Sequence, residues 1–343
     1  MNPRLVNKRN SHRAYLVCLG VVLAGISRGV AANGAETRFG LYKSTDQGAS
    51  WFQAGQGLPS DARLNVLSMA GEVAVAGTDR GVFISRDSGT KWLPALKGVG
   101  TECRVLCFTT HAGRVLAGTQ NHGVVFSDDE GTSWKPTNLG LADRYIRSLV
   151  TTGTRLYAGT DSLGVFVSEN AGTSWTNQRA GLPDLSQVFD LASLGGTVFA
   201  GLYSKGLYRW DTERGLWEMA GAVSPLEVVT VGETLVVGHN PGGVFVSEDQ
   251  GSTWLDGNVG LPVNAPTWTL AADDARVWLG TSGKVGFAPE EIGLYVSQDR
   301  GRSWTSSDAG LPASSAVVSF LITKRFLLAG IVVREFKGDL PSR

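Results

Sequence analysis

The sequence has no excess of charge of either sign, and charged residues are few for its length. Its 343 residues include 31 Lys and Arg against 31 Asp and Glu, so the formal net charge is zero and charged residues make up 18%. A protein that binds nucleic acid needs a basic face to neutralise phosphates, which a balanced chain does not favour. Apolar residues make up 42%, which is enough for a core and too many for a disordered chain. We therefore predict a folded globular protein without a nucleic-acid partner.

Cysteine and histidine are also scarce, with three and four residues. Cys18 lies in the N-terminal apolar run, whereas Cys103 and Cys107 stand in a predicted strand, where about 3.3 Å per residue separates them by about 13 Å. A disulfide between them is not expected, so the fold must rely on packing. His122 and His239 fall in repeats that are not adjacent, and no phosphate-binding loop occurs. We predict no metal site and no cofactor.

The first 32 residues have the pattern of a secretory signal. Residues 1–13 carry four basic residues and no acidic one, and residues 14–26 form an apolar run. This run is shorter than the about 20 residues that span a bilayer, and Val30 and Ala32 suit a signal peptidase. Cleavage after Ala32 would leave residues 33–343 as the mature protein, periplasmic or extracellular and without a membrane span. An uncleaved anchor is the alternative.

Glycine and tryptophan, in contrast, are abundant, with 45 and 10 residues, and they recur in a regular pattern. A segment that begins with Gly and ends with Trp eleven positions later occurs seven times, and its fifth copy is degenerate. The copies begin at Gly40, Gly81, Gly123, Gly164, Gly206, Gly243 and Gly293. Their separations of 41, 42, 41, 42, 37 and 50 residues are typical of units that contain four short strands and their turns.

The second half of each unit is equally regular, as residues 149–160 illustrate. Two apolar stretches flank a glycine turn and predict an antiparallel hairpin, and the Gly-to-Trp segment supplies two more strands. Four-stranded units repeated around an axis form a β-propeller. The chain starts in the third strand of a unit, and Val317–Thr323 and Phe326–Val333 supply the two strands that this unit lacks. We predict an all-β, seven-bladed β-propeller of four-stranded antiparallel blades, with a composite blade closed by the N- and C-terminal strands. An open solenoid is the alternative.

Five of the seven segments carry the complete pattern Ser-x-Asp-x-Gly-x-x-Trp. It resembles the Asp-box, or bacterial neuraminidase repeat, of the propeller superfamily that includes sialidases, photosystem II assembly factors and sortilin-type receptors. The resemblance implies a hairpin between the third and fourth strands, in which the carboxylate accepts backbone hydrogen bonds and the Trp packs between blades. Structural roles, on the face opposite the ligand face, are thereby expected for Asp46, Trp51, Asp87, Trp92, Asp129, Trp134, Asn170, Trp175, Trp217, Asp249, Trp254, Asp299 and Trp304.

The other face should carry the second-to-third and fourth-to-first connections, around the mouth of the central channel. Three consecutive connections contain Arg63, Arg104 and Arg144, and clustered guanidiniums suit a carboxylate. Tyr203 and Trp268 could stack on sugar rings or on a partner's side chains. We name these five residues as candidate ligand-binding residues; the alternative is that the arginines are solvated and the aromatic residues are packed in the core.

The resemblance leaves two functions open. A sialidase-like site would add a Tyr and Glu pair and an Asp, preceded by a Phe/Tyr-Arg-Ile/Leu-Pro motif, whereas Arg38-Phe39-Gly40 does not match that motif. No catalytic residue is therefore assigned. The first hypothesis is an exported, monomeric and non-catalytic scaffold that binds a protein or glycan partner through its channel-mouth loops. The second is a glycoside hydrolase, sialidase-like or xyloglucanase-like.

Overall fold

A computed structural model describes residues 36–221, 223–239, 242–263, 265–281, 293–313 and 315–335. The predicted signal, residues 1–32, and the longest insertion, residues 282–292, lie outside the described residues. The described chain is all-β, and its 28 strands form seven four-stranded antiparallel sheets. The predicted fold class is confirmed.

Each sheet is one blade, and its strands follow one another in the chain from the first, inner strand to the fourth, outer strand. Blade 1 contains β3 (Leu64–Ala70), β4 (Val73–Thr78), β5 (Gly81–Ser85) and β6 (Leu93–Pro94). Blade 2 contains β7 (Val105–His111), β8 (Arg114–Thr119), β9 (Val124–Ser127) and β10 (Lys135–Pro136). Blade 3 contains β11 (Ile146–Thr152), β12 (Arg155–Thr160), β13 (Val165–Ser168) and β14 (Thr176–Asn177).

Blades 4 to 6 continue this order. Blade 4 contains β15 (Val188–Leu194), β16 (Thr197–Leu202), β17 (Gly206–Asp211) and β18 (Leu216–Gly221). Blade 5 contains β19 (Pro225–Val231), β20 (Thr234–His239), β21 (Val244–Ser247) and β22 (Leu255–Asp256). Blade 6 contains β23 (Thr267–Ala272), β24 (Val277–Thr281), β25 (Leu294–Ser297) and β26 (Thr305–Ser306).

Blade 7 joins the two ends of the described chain. It contains β27 (Ser315–Ile322), β28 (Leu327–Glu335), β1 (Glu36–Ser44) and β2 (Phe52–Ala54). Strand β1 pairs antiparallel with β28 along its whole length, with Phe39 opposite Val332 and Lys43 opposite Leu328. Every first strand contacts the first strands of the two adjacent blades, and β27 contacts β3, so the ring of seven is closed. The composite blade is as predicted.

Each first strand contains a β-bulge near its start. Beyond the bulge, three of these strands donate a backbone N–H to a side chain of the preceding blade. Leu191 N donates to Ser148 Oγ at 3.0 Å, Val228 N donates to Asp190 Oδ2 at 2.9 Å, and Leu270 N donates to the Glu227 carboxylate. Burial raises the pKa of Asp190 to about 7, although hydrogen bonds from Val228 N, Ser148 Oγ and Leu191 N to its carboxylate oppose the shift. Polar side chains thus join the inner strands of blades 3 to 6.

The turns between third and fourth strands have the geometry expected of an Asp-box. In the first copy the Ser50 hydroxyl and backbone N–H and the Ser44 hydroxyl donate to the Asp46 carboxylate. Those hydrogen bonds, in that order of importance, lower the pKa of Asp46 to about 2. In the fourth copy Asn170 Oδ1 accepts the equivalent bonds from Ser174 N and Ser168 Oγ at 2.9 and 3.0 Å. An amide can therefore replace the carboxylate in this turn.

The repeated tryptophans pack between adjacent blades. Trp134, which ends the turn of blade 2, lies in a cluster with Val75 and Ile84 of blade 1 and packs against Phe108, with ring centroids 5.9 Å apart and planes inclined by 31°. Six of the seven tryptophans are at most 4% exposed, and Trp254 is the exception. Burying an aromatic side chain of this size is among the largest single contributions to a core.

The described residues contain no helix long and apolar enough to cross a membrane. Cys103 and Cys107 are both buried and form no disulfide with each other. Cys107 lies in β7, as expected, but Cys103 precedes this strand rather than lying within it. Burial raises the pKa of the Cys103 thiol to about 11, so it stays protonated and unreactive at neutral pH.

Candidate functional site at the channel mouth

Two positions of each repeat meet at the channel mouth: the residue before the first strand and the residue after the second strand. In four consecutive blades the residue after the second strand donates its backbone N–H to the carbonyl oxygen of the residue before the first strand, at 2.9 to 3.1 Å. These pairs are Asp79 with Arg63, Gln120 with Arg104, Asp161 with Tyr145, and Tyr203 with Gln187. The repeat therefore places four different side-chain pairs side by side around the rim.

Arg63 and Arg104 are neighbours in this arrangement. Arg63 is only 8% exposed, and Arg104 is half-buried. The pKa of Arg63 is lowered to about 10, mainly by burial and then by the positive charge of Arg104, whereas Asp79 and Tyr145 act in the opposite direction. Two guanidiniums thus lie close enough to repel each other where little water can screen them.

The two guanidiniums have few acceptors. Arg104 Nη1 donates to Gln120 Oε1 at 3.1 Å, but its Nε is buried and has no acceptor among the described residues. The Arg63 guanidinium donates no hydrogen bond to a described residue, and Asp79 Oδ1 accepts from the Arg63 backbone N–H at 2.9 Å. Apart from the contact with Gln120, this arginine pair therefore has no side-chain hydrogen-bond acceptor among the described residues.

The third blade supplies another arginine, which has its own carboxylate. Arg147 is 6% exposed, and its Nε donates to Asp161 Oδ1 at 2.7 Å. The same oxygen accepts from Gln187 Nε2 at 2.7 Å. The Arg147 guanidinium lies between the rings of Tyr145 and Phe189, 4.7 Å from each centroid. Because it is neutralised and stacked on both sides, Arg147 is a rigid support for its aromatic neighbours.

The stack continues into blade 4. Phe189 is fully buried, and Tyr203 lies on it with ring centroids 4.9 Å apart and planes inclined by 20°. Tyr203 is itself 38% exposed, so one face of its ring is accessible. A row of cationic and aromatic groups, Arg63, Arg104, Tyr145, Arg147, Phe189 and Tyr203, therefore follows the rim from blade 1 to blade 4. We call this row the arginine-aromatic rim.

The predicted site residues fall into two groups. Arg63, Arg104 and Tyr203 belong to the rim, but Arg144 does not. Arg144 stands one residue before the rim position of its blade, which Tyr145 occupies; it is exposed, and its guanidinium forms no hydrogen bond or ion pair with the described residues. A shift of one residue reverses the direction of the side chain in an extended segment.

Trp268 lies on the other side of the mouth, where the lining is apolar. It packs with Phe39, Ala316, Val318 and Val332, and its Nε1 is buried without an acceptor among the described residues. Packing therefore limits its availability for stacking on a ligand. His239 accepts from Ser224 N at 2.9 Å and is half-buried, whereas His122 is exposed. The described residues contain no group of three His, Cys, Asp or Glu side chains that could hold a metal ion.

No protein-family model matches the chain, and no curated protein is similar to it in sequence. Solved structures are similar in fold. YCF48 bound to D1 peptide matches with a TM-score of 0.58 and 18% identity, over 79% of this chain and 94% of that one. YCF48 from Cyanidioschyzon merolae matches with a TM-score of 0.58 and 15% identity, over 79% and 96%. At these identities the likeness is one of fold.

A third similar structure belongs to a much longer chain. The extracellular domain of the putative one component system BT4673 from B. thetaiotaomicron matches with a TM-score of 0.63 and 15% identity, over 83% of this chain and 40% of that one. These likenesses support the propeller fold, whereas the resemblance to the Asp-box repeat rests on the sequence pattern alone.

Several residues at the channel mouth were not singled out from the sequence. Gln120 and Gln187 are polar residues of ordinary loops, and Phe189 is one apolar residue of an apolar strand. The signal was present in the repeat itself: aligning the seven units on the glycine of Ala-Gly-Thr, a sequence that is complete in three of them, marks the equivalent positions in every blade. Contacts between blades, such as that of Arg147 with Phe189, follow only from the closed ring.

Proposed function

We propose that this chain is a non-catalytic binding scaffold that holds an anionic segment of a partner protein or glycan on the arginine-aromatic rim. The observation that supports it most is the pair of adjacent guanidiniums, Arg63 and Arg104, whose donors have few acceptors in the described structure. Buried polar groups normally have hydrogen-bond partners, and those that lack one need an explanation. A bound carboxylate or sulfate group would be such a partner.

The electrostatics of the pair favour an anion over a neutral ligand. Like charges held together in a poorly screened position destabilise the empty protein, and a negative group between them removes that repulsion while accepting hydrogen bonds. Guanidinium groups also match carboxylate oxygens in bidentate geometry. The arginine that already has a carboxylate, Arg147, is expected to support the rim rather than to contact the ligand.

The aromatic end of the rim suits the remainder of a ligand. The accessible face of Tyr203 can stack on an apolar side chain of a peptide or on a sugar ring. One similar structure, YCF48, is bound to D1 peptide, so a disc of this fold can hold a peptide. We propose a peptide segment with a carboxylate group as the first class of ligand and an acidic glycan as the second.

The proposal also covers where the protein acts and its oligomeric state. With residues 1–32 removed as a signal, residues 33–343 would act as a monomer in the periplasm or outside the cell. The basic n-region, the short apolar run and the small residues before position 33 support export.

The test compares matched ligands on matched variants. Seven-residue peptides that differ only in Glu against Gln, and sialyllactose against lactose, are titrated into the purified chain by calorimetry. We expect only the charged member of each pair to bind, and an Arg63→Gln/Arg104→Gln variant to lose about tenfold or more in affinity. Arg144→Gln is the matched control, because it removes an arginine from the same face but not from the rim.

Two results would contradict the proposal. Equal binding of the Glu and Gln peptides would show that the rim does not select charge. Release of free sialic acid from sialyllactose by the wild-type chain, absent in the Arg104→Ala variant, would replace the scaffold with the glycoside hydrolase that the sequence left open.

A further inference from the structure

Leu185 differs in chemistry from its counterparts in the neighbouring blades. It lies in the connection between blades 3 and 4, two residues before Gln187, which holds the rim position of blade 4. The equivalent residues of blades 1 to 3 are all acidic: Asp61, Glu102 and Asp143. Leu185 is 79% exposed, so blade 4 presents a large apolar side chain to water where the preceding blades present carboxylates.

The backbone at Leu185 is strained. Its φ is 51°, in the left-handed region that residues other than glycine rarely adopt. Of the nine described non-glycine residues with positive φ, six lie in Asp-box turns and Ala112 lies in a hairpin turn at the same end. The other two, Leu185 and Ser204, belong to the two loops that meet at Tyr203. A single exposed leucine is ordinary, but strain of this kind is typical of ligand-binding sites.

Hydrogen bonds between these two loops hold Leu185 in place. Lys205 Nζ donates to the carbonyl oxygens of Asp184 and Leu185 at 2.5 and 3.1 Å. Tyr203 N donates to the carbonyl oxygen of Gln187 at 3.0 Å. The loop that carries Leu185 is therefore tied at two points to the turn that carries Tyr203, and the two side chains are presented together at the end of the arginine-aromatic rim.

The chemistry of Leu185 and Tyr203 favours an aliphatic group over a sugar. One face of the Tyr203 ring lies on Phe189, and the ring is 38% exposed. An aliphatic side chain that packs against this ring and against Leu185 loses apolar surface to both. A sugar ring carries hydroxyl groups at its edge, and the Leu185 side chain cannot hydrogen-bond them.

We propose that Leu185 and Tyr203 bind an apolar side chain of the same partner segment whose carboxylate lies on Arg63 and Arg104. The inference rests on the proposed function of the rim and narrows it, because the partner is then a protein rather than a glycan. Guanidinium groups at one end of the rim and an apolar pair at the other also fix the direction in which the segment lies.

The dimensions of the rim set the spacing between the two groups of the ligand. The Arg147 guanidinium lies 4.7 Å from the ring centroids of Tyr145 and Phe189, and the Tyr203 centroid lies 4.9 Å from that of Phe189. Tyr203 is therefore within about 15 Å of Tyr145, which about four or five residues of an extended segment cover at about 3.4 Å per residue. Tyr145 in turn is near enough to Arg63 to affect its pKa.

The experiment titrates a series of seven-residue Gly-Ser peptides into the full chain by calorimetry. Each peptide has Glu at its first position and Leu two to six positions later, and a matched series has Ala in place of Leu. At separations of four or five residues, we expect the Leu peptide to bind about tenfold more tightly than its Ala counterpart. At a separation of two residues, Leu and Ala peptides should bind equally.

Leu185→Asn is the variant that tests the residue itself. Asn adopts a positive φ more readily than Leu and lacks the apolar side chain. This variant should lose the preference for Leu, keep the preference for Glu over Gln, and unfold at the same temperature or a higher one. Leu139→Asn is the matched control, because it removes a leucine that is 71% exposed in the connection between blades 2 and 3, and it should keep both preferences.

Three results would overturn the proposal: equal binding of the Leu and Ala peptides to the wild-type chain, an unchanged preference for Leu in Leu185→Asn, or a marked loss of thermal stability in that variant, which would make Leu185 a structural residue. Selection of Glu without selection of Leu would leave the rim proposal intact and refute this one, and selection of Leu without selection of Glu would do the reverse. Binding of sialyllactose but of no peptide would make the partner a glycan and overturn this inference alone.

Discussion

The two ends of the propeller use the same sevenfold repeat in opposite ways. At the end with the Asp-box turns, equivalent positions hold the same residue types and make the same hydrogen bonds, as Asp46 and Asp129 do with the serines of their turns. At the channel mouth, equivalent positions hold Arg63, Arg104, Tyr145 and Gln187. The repeated turns at one end fix the spacing of the blades. Because this spacing is fixed, different side chains at the other end can come together to form a site.

The largest expected effect comes from removing the closure on which both ends depend. Deleting the residues after Thr323 removes β28, the partner of β1 along its whole length, and leaves the unpaired edges of β1 and β27 exposed. We expect loss of the cooperative thermal transition and of the monomer, measured by circular dichroism and light scattering. A truncated chain that stays monomeric and equally stable would contradict the role of blade 7.

The next effect tests the packing between blades. Trp134→Ala should lower the free energy of unfolding by about 3 to 5 kcal/mol, because the lost ring leaves a cavity between blades 1 and 2. Trp254→Ala is the matched control, with a smaller expected loss since Trp254 is half-buried. Denaturant titration measures both, and equal losses would show that the cost does not depend on how deeply the ring is buried between blades.

Replacing a buried arginine at the channel mouth should raise the free energy of unfolding rather than lower it. Arg63→Met keeps the buried volume and removes one of two repelling charges, so we expect a gain of about 1 kcal/mol in unfolding free energy at neutral pH. The gain should be largest at low salt, where repulsion is least screened. Arg144→Met, an exposed control, should change stability little. A clear loss of stability in Arg63→Met would indicate that the arginine pair is structural.

The stability contributions of Asp190 and of the Asp-box turns should depend on pH in opposite directions. Its pKa is raised from 3.8 to about 7 in the folded chain, so its contribution to stability is complete below pH 4 and is lost as pH rises through 7. Asp190→Asn should remove this loss, so the free energies of unfolding of the two proteins should diverge between pH 4 and pH 7. Thermal unfolding across this range measures it, and parallel curves would contradict the raised pKa.

The smallest expected effect on stability comes from the first Asp-box turn, which contains Asp46. The pKa of Asp46 is lowered from 3.8 to about 2, so its contribution is present above pH 4 and is lost as pH falls through 2. Asp46→Asn should resemble the natural Asn170 turn, with nearly unchanged stability at neutral pH and less acid sensitivity. Urea titrations at pH 2.5 and pH 7 measure both, and a large loss at pH 7 would show that this turn requires the charge.

Much of the fold was predictable because a propeller repeats short-range patterns. Glycine turns, alternating strands and the Trp spacing set four strands per unit, and the missing half-unit at Gly40 required the C-terminal strands to close the ring. The site was less predictable. Arg63 and Arg104 could be named from their loops, but Arg144 lies one residue before the rim position, and Trp268, a half-buried residue of blade 6, packs against blade 7.

The sequence by itself determined the number of blades, the strands within them and the turn chemistry, because each depends on residues that are neighbours in the chain. The tertiary structure alone decided which side chains meet across blades: Arg63 beside Arg104, and Arg147 between Tyr145 and Phe189. These contacts depend on the closed ring, which places residues about 40 positions apart at one rim.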